Sequence, residues 1–547
     1  MGARSFWLSA AAVAAVTAAD GAIAAPDPAT EDARLARLEA AVASLQAQVA
    51  AQQGLRQENA ALRQQVGALQ TKVAALQSAR IQTAPALPPP PQPGPTALRA
   101  SLTGGPPRVA TDDGRFSANL YALVQLDGAE YFQAAPGPLG ADFRRSGPAL
   151  GFSAANVDLG HARNLRDGTL FRRARIGVWG KAFGDFQYRA FFDFGGSGAE
   201  NAGQLYEAWI QYSGLQPLKL RVGAFPPLQG LADQDSTAAQ PLLERAASAD
   251  VARNLAAGDT RIAAQLWAAG DHWLASGAVT GRTIGVVAST GTGVAPTYGD
   301  QLAFVGRVAV SPLYGRDWLI HIGAHGSYVD HPADTAGPSA AGSTPASAES
   351  VSLSDQAELR IDGTKLINTG NIDARHADEV GAEFAAQWRS FLLQSEYEHF
   401  DVQRAIALVT DPHFDGWYVE ASWVPVGRGR RYNSQTAAFD APPVPRPVGA
   451  GGWGTVELAA RYAEMNLNYH AGPPGSAPTA DAIRGGDLRT WAASVNWWLT
   501  PTVRVAIEGQ HVTISRLSPD ATSYQTPTGA QIGQSYDAVA VRTQFGF

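Results

Sequence analysis

From Phe116 onwards, apolar and polar residues alternate with a period of two along many short segments. In one segment every second position from Phe116 to Leu126 is apolar, while Asn119, Gln125 and Asp127 fall on the opposite face. A period of two places alternate side chains on opposite faces of a β-strand. The second face often carries formal charge, which the core of a soluble sandwich would hold only in pairs. The pattern therefore favours a barrel with lipid outside and water inside over a soluble β-sandwich.

The last segment of the chain shows the same alternation and bears on the fold class. Alternate positions from Val539 to Phe547 form one face, and the chain ends on an aromatic residue, as the final strands of outer-membrane barrels do. At roughly 27 residues per strand and connection, residues 116–547 give about 16 strands, enough to enclose an aqueous channel. We therefore predict an all-β fold, a transmembrane antiparallel β-barrel of about 16 strands preceded by an N-terminal α-helical coiled coil. External loops are expected in the Gly-, Pro-, Ser- and Ala-rich stretches 332–349, 441–452 and 471–480.

Upstream of the barrel the hydrophobic period becomes that of a helix. The a and d positions of a heptad repeat are occupied by Leu35, Leu38, Val42, Leu45 and Val49. The register slips by three residues and resumes from Leu55 to Leu76, with Asn59 at an a position. We predict a homo-oligomeric coiled coil over residues 31–80. A single amphipathic helix on the protein's own surface is the alternative.

Two further segments flank this helix. Residues 1–25 combine Arg4, an Ala-rich apolar stretch and the small-x-small pattern at Ala22–Ala24, which is typical of a cleaved signal peptide. A run of prolines between Leu87 and Pro95 is typical of an extended linker. The predicted organisation is therefore a signal peptide at 1–25, a coiled-coil helix at 31–80, a Pro-rich linker at 81–115 and a β-barrel pore at 116–547.

Composition narrows the function. Of 547 residues only 17% are charged, against roughly 25% in a soluble domain, and the net charge of −7 without a basic segment argues against a nucleic-acid partner. The chain has no Cys, which excludes disulfides and thiolate chemistry. Since no phosphate-binding loop or nucleophile motif occurs, we expect no catalytic residue and no cofactor. His321 and His325 span about 13 Å on a strand, too far to share one ion, so no metal site is predicted.

Basic residues on the predicted inner face are the candidate anion ligands, because a guanidinium binds two oxygens of an anion at once. Arg172, Arg173 and Arg175 form the densest cluster on any strand. Alternation points Arg173 and Arg175 inward, and Arg172 outward unless it lies at the rim or the strand is bulged. Further candidates of inward phase are Arg189, Lys219, Arg221, Arg307, Arg461, Arg504 and Arg542. Acidic residues of inward phase are Asp193, Glu207, Glu396, Glu398, Glu420, Glu457 and Glu508.

Several segments resemble the phosphate-selective porin O/P family. They are TLFRRARIGVWGKAFGDFQYRAFFDFG (169–195), LYEAWIQYSGLQPLKLRVGAFPP (205–227), LLERAAS (242–248), WGTVELAARYAEMNL (453–467) and SVNWWLTPTVRVAIEG (494–509). The resemblance implies a trimeric, 16-stranded outer-membrane channel whose third long loop, at about 226–248, folds into the lumen. It also implies that Arg172 and Arg173 both serve the pore.

The resemblance is incomplete at four positions. Phosphate-selective members have an Arg where this chain has Leu123, a Lys where it has Gln187, and a Lys of the inward loop where it has Asp233. The family's constriction Asp falls at Tyr206. Within the loop motif, Arg245 beside Glu244 is expected to pin the loop by an ion pair.

The sequence thus predicts an outer-membrane porin for passive diffusion of small hydrophilic solutes, preferring anions, with phosphate or polyphosphate implied by the resemblance. The expected partners are two further copies in a homotrimer, outer-membrane lipid, small anions, and the cell wall through the coiled coil. Three alternatives stay open: a general non-selective porin, a structural anchor that grips the cell wall, and a barrel hydrolase. A hydrolase would need Ser or Asp beside His at the outer rim.

Overall fold

The structure of the protein is a computed structural model. It describes residues 97–102, 105–133, 165–196, 204–258, 261–283, 301–315, 317–333, 349–406, 408–519 and 528–547, and positions 64, 67, 68, 71 and 72. The predicted signal peptide and the Pro-rich run lie outside these residues. Within the predicted coiled coil, the five described positions are all helical. Among the described residues, no helix has the length and apolar character needed to cross a membrane.

Sixteen antiparallel strands form a closed barrel. Each strand pairs with its neighbour in the chain, and the last pairs with the first, with Tyr536 opposite Gln133 and Gly546 opposite Leu123. The predicted all-β barrel of about 16 strands is thereby confirmed. Its strands are β3 (Ser117–Gln133), β4 (Gly168–Ala182), β5 (Phe186–Asp193), β6 (Gln204–Leu215), β7 (Leu218–Ala224), β8 (Arg261–Ala269), β9 (Trp273–Thr283), β10 (Leu302–Tyr314), β11 (Trp318–His331), β15 (Ile372–Trp388), β16 (Phe391–Arg404), β17 (His413–Val426), β20 (Thr455–Tyr469), β21 (Ile483–Trp498), β22 (Val503–Ser515) and β23 (Ser535–Gly546).

The two faces of the barrel wall differ as the alternation predicts. On β10, Phe304 and Val308 point outward and are exposed, while Arg307 between them points inward and is buried. Exposed aromatic rings stack on the outer face near the short turns, where Phe391 lies 5.4 Å from Trp423 between ring centroids. Closure leaves no free strand edge, so lipid meets apolar side chains and not unpaired backbone groups.

Connections at the two ends of the barrel differ in length. One end carries tight turns, such as residues 389–390, and also both ends of the barrel chain, whereas the other carries the long loops. Short turns face the periplasm in outer-membrane barrels. The long connection 427–454 lies on the short-turn side and contains the strands β18 (Arg431–Asn433) and β19 (Ala438–Asp440) and a 3-10 helix (Val448–Ala450). The expectation that 441–452 is an external loop was therefore wrong, because composition does not reveal on which side a connection falls.

A small hairpin precedes the barrel. Strands β1 (Leu98–Ser101) and β2 (Arg108–Thr111) pair with each other, and β2 pairs with the start of β3. Since β23 covers β3 only from Leu123 onward, the hairpin occupies the remaining edge. This hairpin lies in the stretch that the sequence analysis assigns to the linker, so the sheet begins before residue 116.

Besides the connection 427–454, whose Phe439 N–H bonds to Asp235 inside the barrel, two loops of the opposite end fill part of the barrel interior. The inward loop, residues 225–258, carries helices α1 (Leu231–Gln234) and α2 (Ala247–Ala256), and the second insert, residues 353–371, carries the short pairing of β13 (Ser354–Asp355) with β14 (Ile367–Asn368). A further short strand, β12 (Ser350–Val351), pairs with β15. Apolar side chains of both segments pack against inward-facing wall residues in one buried cluster that includes Val251, Leu366 and Ile514.

The packing of the second insert is testable with Leu366→Ala. Leu366 is 1% exposed, and truncating a buried Leu costs about 2–5 kcal/mol. We expect the insert to undock more often and trypsin to cleave faster after the neighbouring Lys365, as followed by electrophoresis. Leu408→Ala, at a residue 96% exposed, serves as the control. Equal cleavage rates in the two variants would contradict the packing.

Candidate functional site: the barrel lumen

A β-bulge turns two adjacent arginines into the barrel. Between β3 and β4, Gln125 lies opposite Arg173, but the next residue, Leu126, lies opposite Phe171, so Arg172 is the extra residue. A bulge of this kind re-aims a side chain. Of the two conditions under which Arg172 would not face outward, a position at the rim and a bulge, the bulge is present.

Both arginines reach Glu244 of the inward loop. Arg172 Nε lies 2.8 Å from Glu244 Oε1, Arg173 Nη2 lies 3.6 Å from Oε2, and Arg542 Nη2 on β23 lies 2.7 Å from Oε1. Burial alone favours the neutral acid, but the three guanidiniums together hold the pKa of Glu244 well below its usual range. Glu244 is therefore a buried carboxylate that fixes the loop to β4 and β23.

Other wall arginines bind the backbone of the inward loop. Arg542 Nη1 donates to Leu243 O at 2.6 Å, and Arg461 Nη2 donates to Glu244 O at 3.0 Å. Arg504 Nη1 lies 3.5 Å from Ala238 O. These three candidates are at most 4% exposed. They therefore hold the loop and are not exposed to water in the lumen.

Two further candidates are paired with wall carboxylates. Arg307 forms a two-pronged pair with Glu383 at 2.8 and 2.7 Å and donates to carbonyls of the connection 427–454. Arg175 Nε lies 2.7 Å from Asp193 Oδ2. Its guanidinium carbon also lies 3.5 Å from the ring centre of Tyr206.

The inward loop is braced internally as well. Arg245 lies 3.9 Å from Asp233 and 3.8 Å from Asp250, and its Nε donates to Ala232 O at 3.0 Å. Arg245 therefore pairs with carboxylates of its own loop, whereas its neighbour Glu244 bonds to the wall.

Four cations on β4–β7 form a different group, which we call the basic strip: Lys181, Arg189, Lys219 and Arg221. The strip retains solvent exposure, with the side chain of Arg189 36% exposed. Strand register places Lys181, Gln187, Gln211 and Arg221 in one row across the four strands. Among the described residues the carboxylate paired to this strip is Glu207, 3.0 Å from Arg189.

Two cations of the strip, Lys219 and Arg221, lie over aromatic rings. The guanidinium of Arg221 lies 4.2 Å above the ring of Trp209, and the ammonium of Lys219 lies 4.1 Å above Trp267. Both rings are buried. Cation–π contact holds a cation in place without neutralising it, and the polar partner of Arg221 is the neutral amide of Gln211, at 2.8 Å.

Sequence reasoning placed Arg189, Lys219 and Arg221 on the inner face but missed Lys181. The signal was present, because Lys181 lies three steps of two residues beyond Arg175 and pairs with Gln187. Period-two alternation gives the face on which each of the ten candidates lies. It does not tell which of them are bound by loops or carboxylates and which remain exposed to solvent.

Comparison with known proteins decides the family. The sequence profile of the family "Phosphate-selective porin O and P" matches residues 149–547. The chain belongs to this family. The relative Porin O of Pseudomonas aeruginosa is 25% identical over 420 residues, covering 74% of this chain and 84% of that protein. The resemblance stated from the sequence is confirmed, and the protein is an outer-membrane porin.

Two solved outer-membrane proteins match the chain at low sequence identity. An OmpT loop-deletion mutant of Vibrio cholerae matches 79% of this chain and all of its own length, with 9% identity and a TM-score of 0.43. The anion-selective porin of Comamonas acidovorans matches 79% of this chain and all of its own, with 13% identity and a TM-score of 0.41. At these TM-scores neither likeness adds to the assignment.

The four residues at which this porin departs from the family pattern each have identifiable contacts or burial. Leu123 is inward and 1% exposed, Gln187 lies 3.5 Å from Gln211, and the ring of Tyr206 lies under Arg175. Asp233 pairs with arginines of its own loop.

Two loop carboxylates titrate near neutrality. Asp235, after α1, accepts a hydrogen bond from the Phe439 N–H at 3.0 Å, and Glu358 of the second insert lies 2.6 Å from Arg461. Burial raises the pKa of both acids to about 7.

The permeability ratio of chloride to potassium should therefore rise as the pH falls from 8 to 6, because each proton taken up by Asp235 or Glu358 removes a negative charge from the lumen. The reversal potential in a KCl gradient across a planar bilayer measures it. The double variant D235N/E358Q should shift much less, and an equal shift would contradict the assignment.

The same carboxylates predict how loop docking depends on pH. Their folded-state pKa values of about 7 exceed the roughly 4 of an unfolded chain. Their protonation therefore stabilises docking fully below about pH 4, and this contribution is lost as the pH rises through about 7. Tryptic cleavage after Lys365 should be slower at pH 6 than at pH 8 once corrected for the pH dependence of the protease.

Proposed function

We propose that this porin conducts small hydrophilic anions by passive diffusion, with the basic strip of Lys181, Arg189, Lys219 and Arg221 as its selective surface. The observation that carries the proposal is the difference in exposure between the two groups of cations. Buried arginines are paired with carboxylates or loop carbonyls, whereas the strip keeps both exposure and net positive charge.

Elementary electrostatics gives the expected strength of selection. A unit charge about 7 Å from an ion in water contributes about 0.6 kcal/mol, close to the thermal energy. Four cations against one carboxylate thus raise the local concentration of anions and lower that of cations. A narrow lumen with low-dielectric walls strengthens the effect.

Phosphate is the solute that the family name suggests, and we propose it as one permeant anion among several. The strip holds Arg189 against Glu207 and Arg221 against Gln211, so part of each guanidinium fork is already engaged. A partly engaged fork favours weak, fast contact with many anions over tight capture of one.

The variant R189Q/R221Q tests the strip. Each charge removed should change the local concentrations of chloride and potassium by about threefold in opposite directions. The chloride-to-potassium permeability ratio, read from reversal potentials in planar bilayers, should therefore fall by about sevenfold per charge. Graded phosphate added to chloride should block wild-type current weakly and the variant less.

The matched control is R489Q. Arg489 has the same charge but pairs with Glu464 and Asp487 on the outer face of β20 and β21. Its loss should leave selectivity unchanged. An unchanged ratio in R189Q/R221Q would overturn the strip as the selective surface, and strong block at low phosphate would favour a dedicated phosphate channel.

We propose further that the N-terminal signal directs export and is then cleaved. The chain then assembles as a homotrimer that the helix at 31–80 stabilises. The heptad pattern, with Asn59 at a predicted a position, supports this role. The short-turn side carries the N-terminal end of the barrel, and we propose that the segment before it lies in the periplasm.

Deletion of residues 31–80 tests the role of the helix. We expect the trimer to dissociate at a lower temperature on semi-native electrophoresis, while each monomer keeps its heat-sensitive barrel mobility. An unchanged dissociation temperature would leave cell-wall contact as the function of the helix, which binding to purified peptidoglycan would measure.

A further inference from the structure

A buried cluster of histidine and carboxylates lies where the inward loop meets β11, β15 and β16. Strand register places His325, Gly381 and Glu398 in one row, and Gly323, Glu383 and Glu396 in the adjacent inward row. His325, Glu383 and Glu396 are all buried, and each brings one potential ligand atom within 4.8 Å of the others. Nothing in the proposed anion pathway uses this cluster.

Each of these three side chains lies in space that a glycine leaves free. A Cβ on Gly381 would stand 2.1 Å from His325 Nε2, and one on Gly323 would stand 2.7 Å from Glu383 Oε2. A Cβ on Gly230, in the inward loop, would stand 2.5 Å from Glu396 Oε1. Three glycines from three segments thus make room for one histidine and two carboxylates.

The charge balance of the cluster calls for a cation. Four carboxylates gather here, and their permanent cationic partner among the described residues is Arg307, which pairs with Glu383. His321 and His325 also contact Glu383 or Glu379, but one proton on each would still leave the cluster with a net negative charge. The carboxylates are Glu379, Glu383, Glu396 and Glu398, each at most 3% exposed. Burying an uncompensated carboxylate is costly.

Unsatisfied oxygens point to the same conclusion. Glu398 Oε2 is buried without a hydrogen-bond partner, and Glu398 shares the row of His325. Glu379 Oε1 lies 3.2 Å from His325 Nε2 but outside hydrogen-bond geometry. These oxygens are available to a ligand that the protein groups alone do not supply.

We propose that His325, Glu383 and Glu396 form a zinc site, with Glu398 supplying a further carboxylate. An imidazole with carboxylates is a ligand set that suits Zn²⁺, whereas Ca²⁺ and Mg²⁺ prefer oxygen ligands alone. Ligands of a tetrahedral zinc ion stand about 3.4 Å apart, so closure by about 1.5 Å at most assembles the site.

The site would fasten the inward loop to the wall. Glu396 already accepts hydrogen bonds from the backbone N–H groups of Leu231 and Ala232 at the start of α1. An ion shared by Glu396 on β16, Glu383 on β15 and His325 on β11 therefore joins three strands at the place where the loop enters the lumen.

The experiment uses the full-length porin in detergent, stripped with EDTA and titrated with ZnCl₂ by calorimetry. We expect one zinc per chain and a higher thermal unfolding midpoint with zinc. H325Q, which keeps a hydrogen-bonding side chain, should lower the zinc affinity at least about tenfold while leaving the far-ultraviolet circular dichroism unchanged. Cobalt absorption at the same site gives a readout independent of stability.

The matched control is H399Q, which removes the histidine of an outer-face group with Asp401 and Asp415. This variant should bind zinc like the wild type. Zinc lost in H399Q but kept in H325Q, no zinc in the wild type, or stabilisation by Ca²⁺ and not by Zn²⁺ would each overturn the proposal. In those cases His325 serves only as an ion-pair partner of Glu379 and Glu383.

Discussion

The ion pairs of Glu244 fix the position of the inward loop, and that position determines which part of the barrel wall remains exposed to water. Three guanidiniums from β4 and β23 converge on it, and a buried charge that loses its partner typically costs about 3–5 kcal/mol. This anchor keeps the inward loop against β20–β23, whose arginines then bond to the loop backbone. The loop thereby covers one side of the lumen, and the basic strip on β4–β7 remains beside solvent.

Much of this architecture follows from period-two alternation. The pattern assigns Arg173, Arg189 and Arg307 to the inner face and Phe304 and Val308 to the lipid face, because a strand in a membrane barrel has one wet and one greasy side. Length and strand spacing give the number of strands. In the sequence, the only sign of the bulge is the pair of adjacent arginines at 172 and 173, because alternation can place only one of them on the inner face.

The ion pairs and hydrogen bonds between residues far apart in the sequence could not be predicted. Arg542 and Glu244 are separated by 298 residues in sequence, and no local pattern says that a wall cation will meet a loop carboxylate and not a solute. The same holds for the insertion of 427–454, where Arg307 bonds to Thr436 and Ala437. Sequence phase therefore identifies the lining of the lumen but not which part of it touches water.

The pairing of β23 with β3 has a consequence for biogenesis. Asp127 and Arg542 meet across this pairing although 415 residues separate them. The two barrel strands that are farthest apart in the sequence are thus the two whose pairing closes the barrel. Loop-closure entropy opposes such a contact until the intervening strands are ordered. Until β23 pairs with β3, each of these two strands has one unpaired edge, and the availability of β23 therefore determines when the barrel can close.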